Sequence, residues 1–271
     1  FLHPLIHEEL LAPSSRSRVE THDGYLFLIY HLPLYDHVNR TSRRAEIDVV
    51  ATDDTLITVT YEDLEPIATF GRTVEKIPER NLASTAQLVY YLVESVNDFS
   101  LRQLRHVEEK LQQVGGALFR ERSGKALLED ISRIKRDLLE FSLTAASERL
   151  MLESLLESGP RFWGEGYKIY LNDLWGDFLK IHYLLESLTA TIESYSETVS
   201  QLLAFRTSEV MRRLSVLGFL TFPLILYSTI ALEPTVAATF LKTPADFWIV
   251  FGIVTGLMVL LSLILRKRGW F

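Results

Sequence analysis

Apolar positions along this chain follow three rhythms, and each predicts a different kind of element. In the N-terminal third they come as short β-branched or aromatic runs: Tyr25–His31 (YLFLIYH), Glu46–Ala51 (EIDVVA) and Leu56–Tyr61 (LITVTY). Turn residues bound these runs, so each predicts a strand. Thr52-Asp53-Asp54 predicts a hairpin turn between the last two. The stretch 1–83 therefore reads as a mixed α/β sheet domain. From about residue 84 the spacing becomes helical. Ser84-Thr85-Ala86-Gln87 has capping-box spacing and predicts a helix start, with Gly115-Gly116 as its predicted end. A second helix is predicted over Lys125–Glu157, closed by Ser158-Gly159-Pro160, so that 84–169 forms a helical hairpin.

The second rhythm is stricter. Leu171, Leu174, Phe178, Ile181, Leu185, Leu188, Ile192, Tyr195, Val199 and Leu202 alternate at spacings of 3 and 4 without a slip. That is a coiled-coil seam, which predicts either self-association through a stalk at 170–213 or packing against the helices at 84–157. A different face carries Glu186, Thr189, Glu193, Glu197, Gln201, Ala204, Ser208 and Met211. Such an acidic-to-polar stripe is usually a solvated helix face. Where it leads into a membrane span it also fits the lining of a cation funnel.

In the third rhythm polar residues almost vanish. Leu214–Leu232 and Phe247–Leu265 lack any charge. At ~1.5 Å per residue each run is ~28 Å long, about the thickness of a bilayer's hydrocarbon layer. With no proline from the seam to Pro223, one helix is predicted from about Tyr170 through the first span. The basic residues flank the spans: Arg212 and Arg213 before the first, and Arg266, Lys267 and Arg268 in a tail at 266–271. The outer loop at 233–246 holds only Lys242. Positive residues stay inside, so both termini are predicted to be cytoplasmic. Trp248, Trp270 and Phe271 suit the membrane interfaces, and Pro223 should bend the first span.

Composition narrows the function. Of 28 basic and 35 acidic residues, six basic and two acidic lie from Met211 onward, which leaves 22 − 33 = −11 for 1–210. An acidic soluble part excludes a nucleic-acid partner, whose phosphates require Lys and Arg, and it is compatible with cations. The chain has no cysteine, which removes disulfides and thiolate metal sites. Phosphate-binding, zinc-protease and nucleophile-elbow motifs are absent from the sequence, so an enzyme reading and a bound cofactor have no support. His31 and His37 flank Asp36 in HLPLYDH, a spacing that could bind a metal but more often belongs to a surface loop.

Five stretches, in order, resemble the CorA family of divalent-cation channels and transporters, including its ZntB branch. HPLIHEELL (3–11) resembles the family's opening element, and SRVETHDGYLFLIYHLPLYD (17–36) its first strands. YLNDLWGDFLKI (170–181) resembles the head of the stalk, RTSEVMRRLSVLGFLTFPLIL (206–226) the stalk-to-membrane junction, and RKRGWF the terminal signature. The resemblance implies an α+β fold with an N-terminal cytoplasmic domain, a long stalk helix continuing into the first span (214–232), and a second span (247–265). It implies a funnel-shaped homopentamer in the inner membrane, with itself, the bilayer and divalent cations (Mg²⁺, Zn²⁺, Co²⁺ or Ni²⁺) as partners. The alternative is a scaffold or sensor of the same fold that no longer conducts.

The resemblance also assigns residues. Met211 and Leu214 match the family's apolar gate, and the pore face reads Ser208, Met211, Leu214, Gly218, Phe222, Ile225 and Thr229, with Glu233 at the mouth. Asp36 and Asp173 match positions where acids of neighbouring subunits hold a regulatory divalent ion, and Glu197 lies in the acidic stripe above the pore. Two elements depart from the family pattern: Ser208 stands where the junction motif often has Asn, and the pore mouth differs. Leu232-Glu233-Pro234 stands where the family carries Gly-Met-Asn, so the usual selectivity ring is absent. An apolar path behind a ring of Glu233 predicts poor discrimination of Mg²⁺, which gives up its water reluctantly.

Overall fold

A computed structural model describes residues 2–36, 41–77, 84–118, 124–232 and 243–267. Glu233, most of the outer loop, His37 and the tail residues Arg268, Trp270 and Phe271 lie outside the described residues. The chain divides into two compact units, Phe1–Glu197 and Thr198–Phe271.

The first unit opens with helix α1 (Pro4–Glu9) and four strands: β1 (Arg18–His22), β2 (Tyr25–Asp36), β3 (Thr41–Ala51) and β4 (Leu56–Thr60). They form one antiparallel sheet in the order β1-β2-β3-β4. Every pairing in this sheet is antiparallel, which makes the unit α+β and corrects the α/β reading of 1–83. Gly24, at φ +84, turns the first hairpin. Thr52 and Asp54 close the predicted turn before β4, with the Thr55 amide donating to Thr52 Oγ1 at 3.0 Å.

The sheet is covered on both faces, which explains why YLFLIYH is a continuous rather than an alternating apolar run. Leu26, Leu28, Tyr30 and Leu32 alternate with Tyr25, Phe27, Ile29 and His31, and all eight are buried. Tyr25, Phe27 and Ile29 of the second set, with Val50, pack against Ile6 of α1. The first faces the helices, since Tyr30 reaches Asn97 and Glu148 there.

Helix α2 (Glu65–Val74) follows, and then the long helices α3 (Thr85–Leu118) and α4 (Gly124–Trp163). Ser84 caps α3 as its spacing predicts, its Oγ accepting from the Ala86 amide at 3.1 Å. Both helices outrun their predicted ends, for one physical reason. Gly115 and Gly159 are packing glycines here, not terminators. A Cβ on Gly115 would lie 2.6 Å from the Tyr195 hydroxyl, and one on Gly159 would lie 2.6 Å from Leu171 Cδ1. The stop comes at Gly164, whose φ of +101 favours glycine and whose amide donates to Pro160 O at 3.0 Å.

Helix α5 runs unbroken from Lys168 to Leu232, 65 residues, as the missing prolines predict. Its seam is buried within the single chain: Leu171, Leu174, Phe178, Ile181, Leu185, Leu188, Ile192 and Val199 are all at most 4% exposed. Asn97 of α3 donates to Leu174 O, and Tyr195 rests on Gly115. From Leu171 to Tyr195 the heptad pattern thus records packing on α3 and α4, and Leu202 at its end is exposed. The expectation that this seam joins copies of the chain is corrected accordingly.

In the second unit α5 continues through Pro223, and helix α6 spans Pro244–Lys267. Both helices are long and apolar enough to cross a membrane, and almost none of their apolar windows is buried.

Candidate ion path and metal-binding acids

The apolar part of α5 has two distinct faces. Tyr227 donates its hydroxyl to Phe247 O at 2.8 Å and packs on the rings of Phe247 and Phe251, so its face is turned to α6. Val216, Leu220 and Pro223 share that face by helical spacing, and Val216 is 3% exposed. The residues assigned to the pore lie on the other side. Ser208, Met211, Leu214, Gly218, Phe222, Ile225 and Thr229 are all exposed. Along this stripe the chemistry is hydroxyl, then thioether and aliphatic, then aromatic, then hydroxyl again. Thr229 Oγ1 donates to Ile225 O at 2.9 Å, which leaves both its lone pairs free to accept.

Above it, Glu197 is exposed on α5. The first residues of the acidic stripe have closer company than the sequence implies. Glu186, Thr189 and Glu193 line a groove whose other wall is Ser142, Ala146 and Arg149 of α4. Below it Glu209 pairs with Arg213 at 2.6 Å.

The two acids expected to hold a regulatory ion sit in separate surroundings. Asp36 ends β2 opposite Thr41, within electrostatic reach of Arg43 and Glu62, which form a forked ion pair. Asp173 is exposed near the start of α5 and accepts from the Tyr90 hydroxyl of α3 at 2.8 Å. Burial and that bond raise the Tyr90 pKa, so the phenol stays a donor. Asp173 does not stand alone. Glu94 and Asp98 on α3 and Asp177 on α5 share its field. The Glu94 carboxyl is raised first by burial and then by Asp98, Asp177 and Asp173. Lys180, 2.7 Å from Asp177, supplies a counter-charge. The sequence reading missed Tyr90, Glu94, Asp98 and Asp177; the signal was there in the i,i+4 acids at 94/98 and 173/177. Among the described residues no group of three or more His, Asp or Glu side chains is placed to hold a metal within one chain.

Comparison with known proteins agrees with this architecture. The chain matches the sequence profile of the family described as CorA-like Mg²⁺ transporter protein over residues 1–267. It is 19% identical to the cobalt/magnesium transport protein CorA of Thermotoga maritima, over 99% of this chain and 77% of that protein. Among solved structures, the CorA magnesium transporter of Methanocaldococcus jannaschii superposes with a TM-score of 0.79 at 16% identity. That match covers 94% of this chain and 80% of the other. The full-length CmaX protein superposes with a TM-score of 0.69 at 18% identity, covering 98% and 82%. Members of the matched family are membrane ion transporters, not enzymes. The long helix, the second apolar helix and a profile match over nearly the whole length lead to one assignment: the chain belongs to the CorA-like Mg²⁺ transporter family.

Proposed function

We propose that the protein is a homopentameric channel or transporter for divalent metal cations, lying in the inner membrane with both termini cytoplasmic. The observation that carries this reading is the exposure of the stripe from Ser208 to Thr229 on the side of α5 turned away from Tyr227 and α6. A helix that packs one face on its own partner helix and leaves a hydroxyl-bounded apolar stripe free is suited to line an axis shared by several copies. The relative's name, a cobalt/magnesium transport protein, supports divalent cations as substrate. The spans are 214–232 and 247–265, with 1–83, 84–169 and 170–213 inside, 233–246 outside and 266–271 inside.

In this reading Glu233 from each copy concentrates cations at the outer mouth, and Thr229 receives them. Phe222, Ile225, Leu214 and Met211 form a constriction that conducts when wet and closes when dry. Because Mg²⁺ holds its water tightly, an apolar path without an asparagine ring passes softer, more readily dehydrated ions such as Zn²⁺, Co²⁺ or Ni²⁺ at least as well. Asp173, with Asp36 from a neighbouring copy, holds a regulatory divalent ion. Paired carboxylates repel, and a divalent ion between them relieves the repulsion. The acids around Asp173 add to that demand, which supports this end of the proposal.

The test is cation flux in liposomes containing the purified full chain, with Mg²⁺, Zn²⁺, Co²⁺ and Ni²⁺ compared. Uptake of at least one, with Mg²⁺ not preferred by more than a few-fold, is the expected result. No uptake of any of the four, with the protein shown to be inserted and oligomeric, overturns it.

A further inference from the structure

The face of the sheet under α1 holds a group of titratable side chains that the transport path does not use. His31, Glu46 and Asp48 are 3%, 5% and 1% exposed. Register makes them neighbours: His31 pairs with Glu46 across β2 and β3, and Ile29 pairs with Asp48. Residues 46 and 48 alternate along β3 and so point to one face.

Most polar bonds of this group end on the segment after α1. The Ser14 amide donates to both Glu46 oxygens, at 2.9 and 2.7 Å. His31 Nε2 faces two acceptors, Glu46 Oε2 at 2.9 Å and Ser14 O at 3.1 Å, so it carries the hydrogen. His31 Nδ1 then accepts from the Ser17 hydroxyl at 2.7 Å. The Tyr61 hydroxyl donates to Asp48 Oδ2 at 2.8 Å and lies 3.3 Å from Glu9 O. One atom is left over: Asp48 Oδ1 is buried with no donor. Two residues apart on one face of β3, the buried Glu46 and Asp48 carboxyls act on each other's ionisation. Two ionised carboxylates cannot bond each other, whereas one shared proton turns the contact into a hydrogen bond and removes the orphan.

We propose that Asp48, sharing a proton with Glu46, is a proton-operated latch that ties residues 9–17 to the sheet and loosens when the proton leaves. The charged and titratable groups around it are Glu9 from α1, Arg18 from β1, His31 from β2, Arg44 and Glu46 from β3, and Tyr61 with Glu62 after β4. Arg18, paired with Glu9 and Glu20, and Arg44 both favour the ionised form of Glu46, which leaves the shared proton on Asp48. A surface cavity lined by Ser14, His31, Arg44, Glu46, Tyr61 and Glu62 gives protons access. Burial first, opposed by the Tyr61 bond and reinforced by Glu46, pushes the Asp48 carboxyl up to about 7. Burial holds the His31 pKa below its usual value, so the ring is neutral in the latched state.

The sign follows from linkage. An acid whose closed-state pKa is raised stabilises that state most below its open-state pKa, near 4. The benefit is lost as pH rises, and is gone above the closed-state pKa.

The test is hydrogen exchange of the backbone amides of residues 14–17 in the full chain in detergent, from pH 5 to 8, corrected for intrinsic rates. Wild type should exchange faster with rising pH, by up to about tenfold per unit, and level off near 7. Asp48→Asn should abolish the pH dependence, since the amide needs no proton to bond Glu46. Tyr61→Phe removes a bond that favours the ionised form, so the levelling-off should move to higher pH. A flat wild-type profile overturns the proposal, as does Asp48→Asn with the wild-type slope. Should Asp48→Asn not fold, an unshifted Tyr61→Phe profile overturns it equally.

Discussion

Glu148 lies on α4 beneath the sheet, 1% exposed, and its bonding partner there is the Tyr30 hydroxyl. Burial pushes its carboxyl up to about 7, and the Tyr30 bond offsets part of that. With the folded value above the unfolded one, stability is greatest below about 4.5 and falls as pH rises towards 7. Glu148→Gln keeps an acceptor for Tyr30 and cannot ionise. Its urea midpoint should exceed that of wild type at pH 8 and approach it at pH 5, a difference worth about 3 kcal/mol at most. Equal midpoints at pH 8 would mean that Glu148 ionises at no cost. Two further residues test the ion chemistry. Mg²⁺ is expected to protect the full chain from protease, and Asp173→Ala should raise the concentration required by roughly tenfold. Glu233→Gln should lower flux several-fold at low external cation and less at saturation, because a ring of charge concentrates ions without ordering them. Unchanged flux would place Glu233 off the path.

Among the elements, α5 carries two kinds of apolar surface that look alike in sequence. From Leu171 to Val199 they are buried in the chain's own helices, and from Leu202 onward most are exposed. Truncation distinguishes them. Leu174→Ala, at 0% exposed, should destabilise the first unit by about 2–5 kcal/mol through lost burial and a residual cavity. Leu202→Ala, at 44% exposed, should cost less than about 1 kcal/mol in the same urea titration. The two glycines behave as buried contacts of the same kind. Gly159→Ala gains helix propensity but drives its Cβ into Leu171, so a lower melting temperature is the expected outcome. A higher one would mean that the Leu171 side chain moves aside freely.

For the whole molecule, topology and self-association are the matters to measure. A C-terminal tag should stay unreactive to an impermeant reagent on intact cells, since Arg266 and Lys267 close α6. Labelling of that tag would reverse the orientation. In mild detergent the mass should correspond to several copies, and the proposed pathway requires it. The contacts that join copies must then lie on surfaces other than the Leu171–Val199 seam, which the chain covers by itself. A monomer in detergent and in nanodiscs alike would end the pore reading.

Local rules carried the sequence a long way. The strand cores, the Ser84 cap, the unbroken helix from Lys168 to Leu232 and both apolar spans followed from short-range signals: β-branched runs, a hydroxyl before a helix, missing prolines and uncharged length. The family was legible too, because five separated stretches kept their order. Only the tertiary structure decided what each surface meets. A heptad seam has the same spacing whether its partner is another copy or the chain's own α3 and α4. Gly115 and Gly159 look like stops unless Tyr195 and Leu171 are known to lie over them. Acids on α3 and α5, some 80 positions apart, become one field around Asp173 only when the two helices pack. His31, Glu46 and Asp48 read as ordinary strand polarity until the register buries all three side by side, where a proton has to be accounted for.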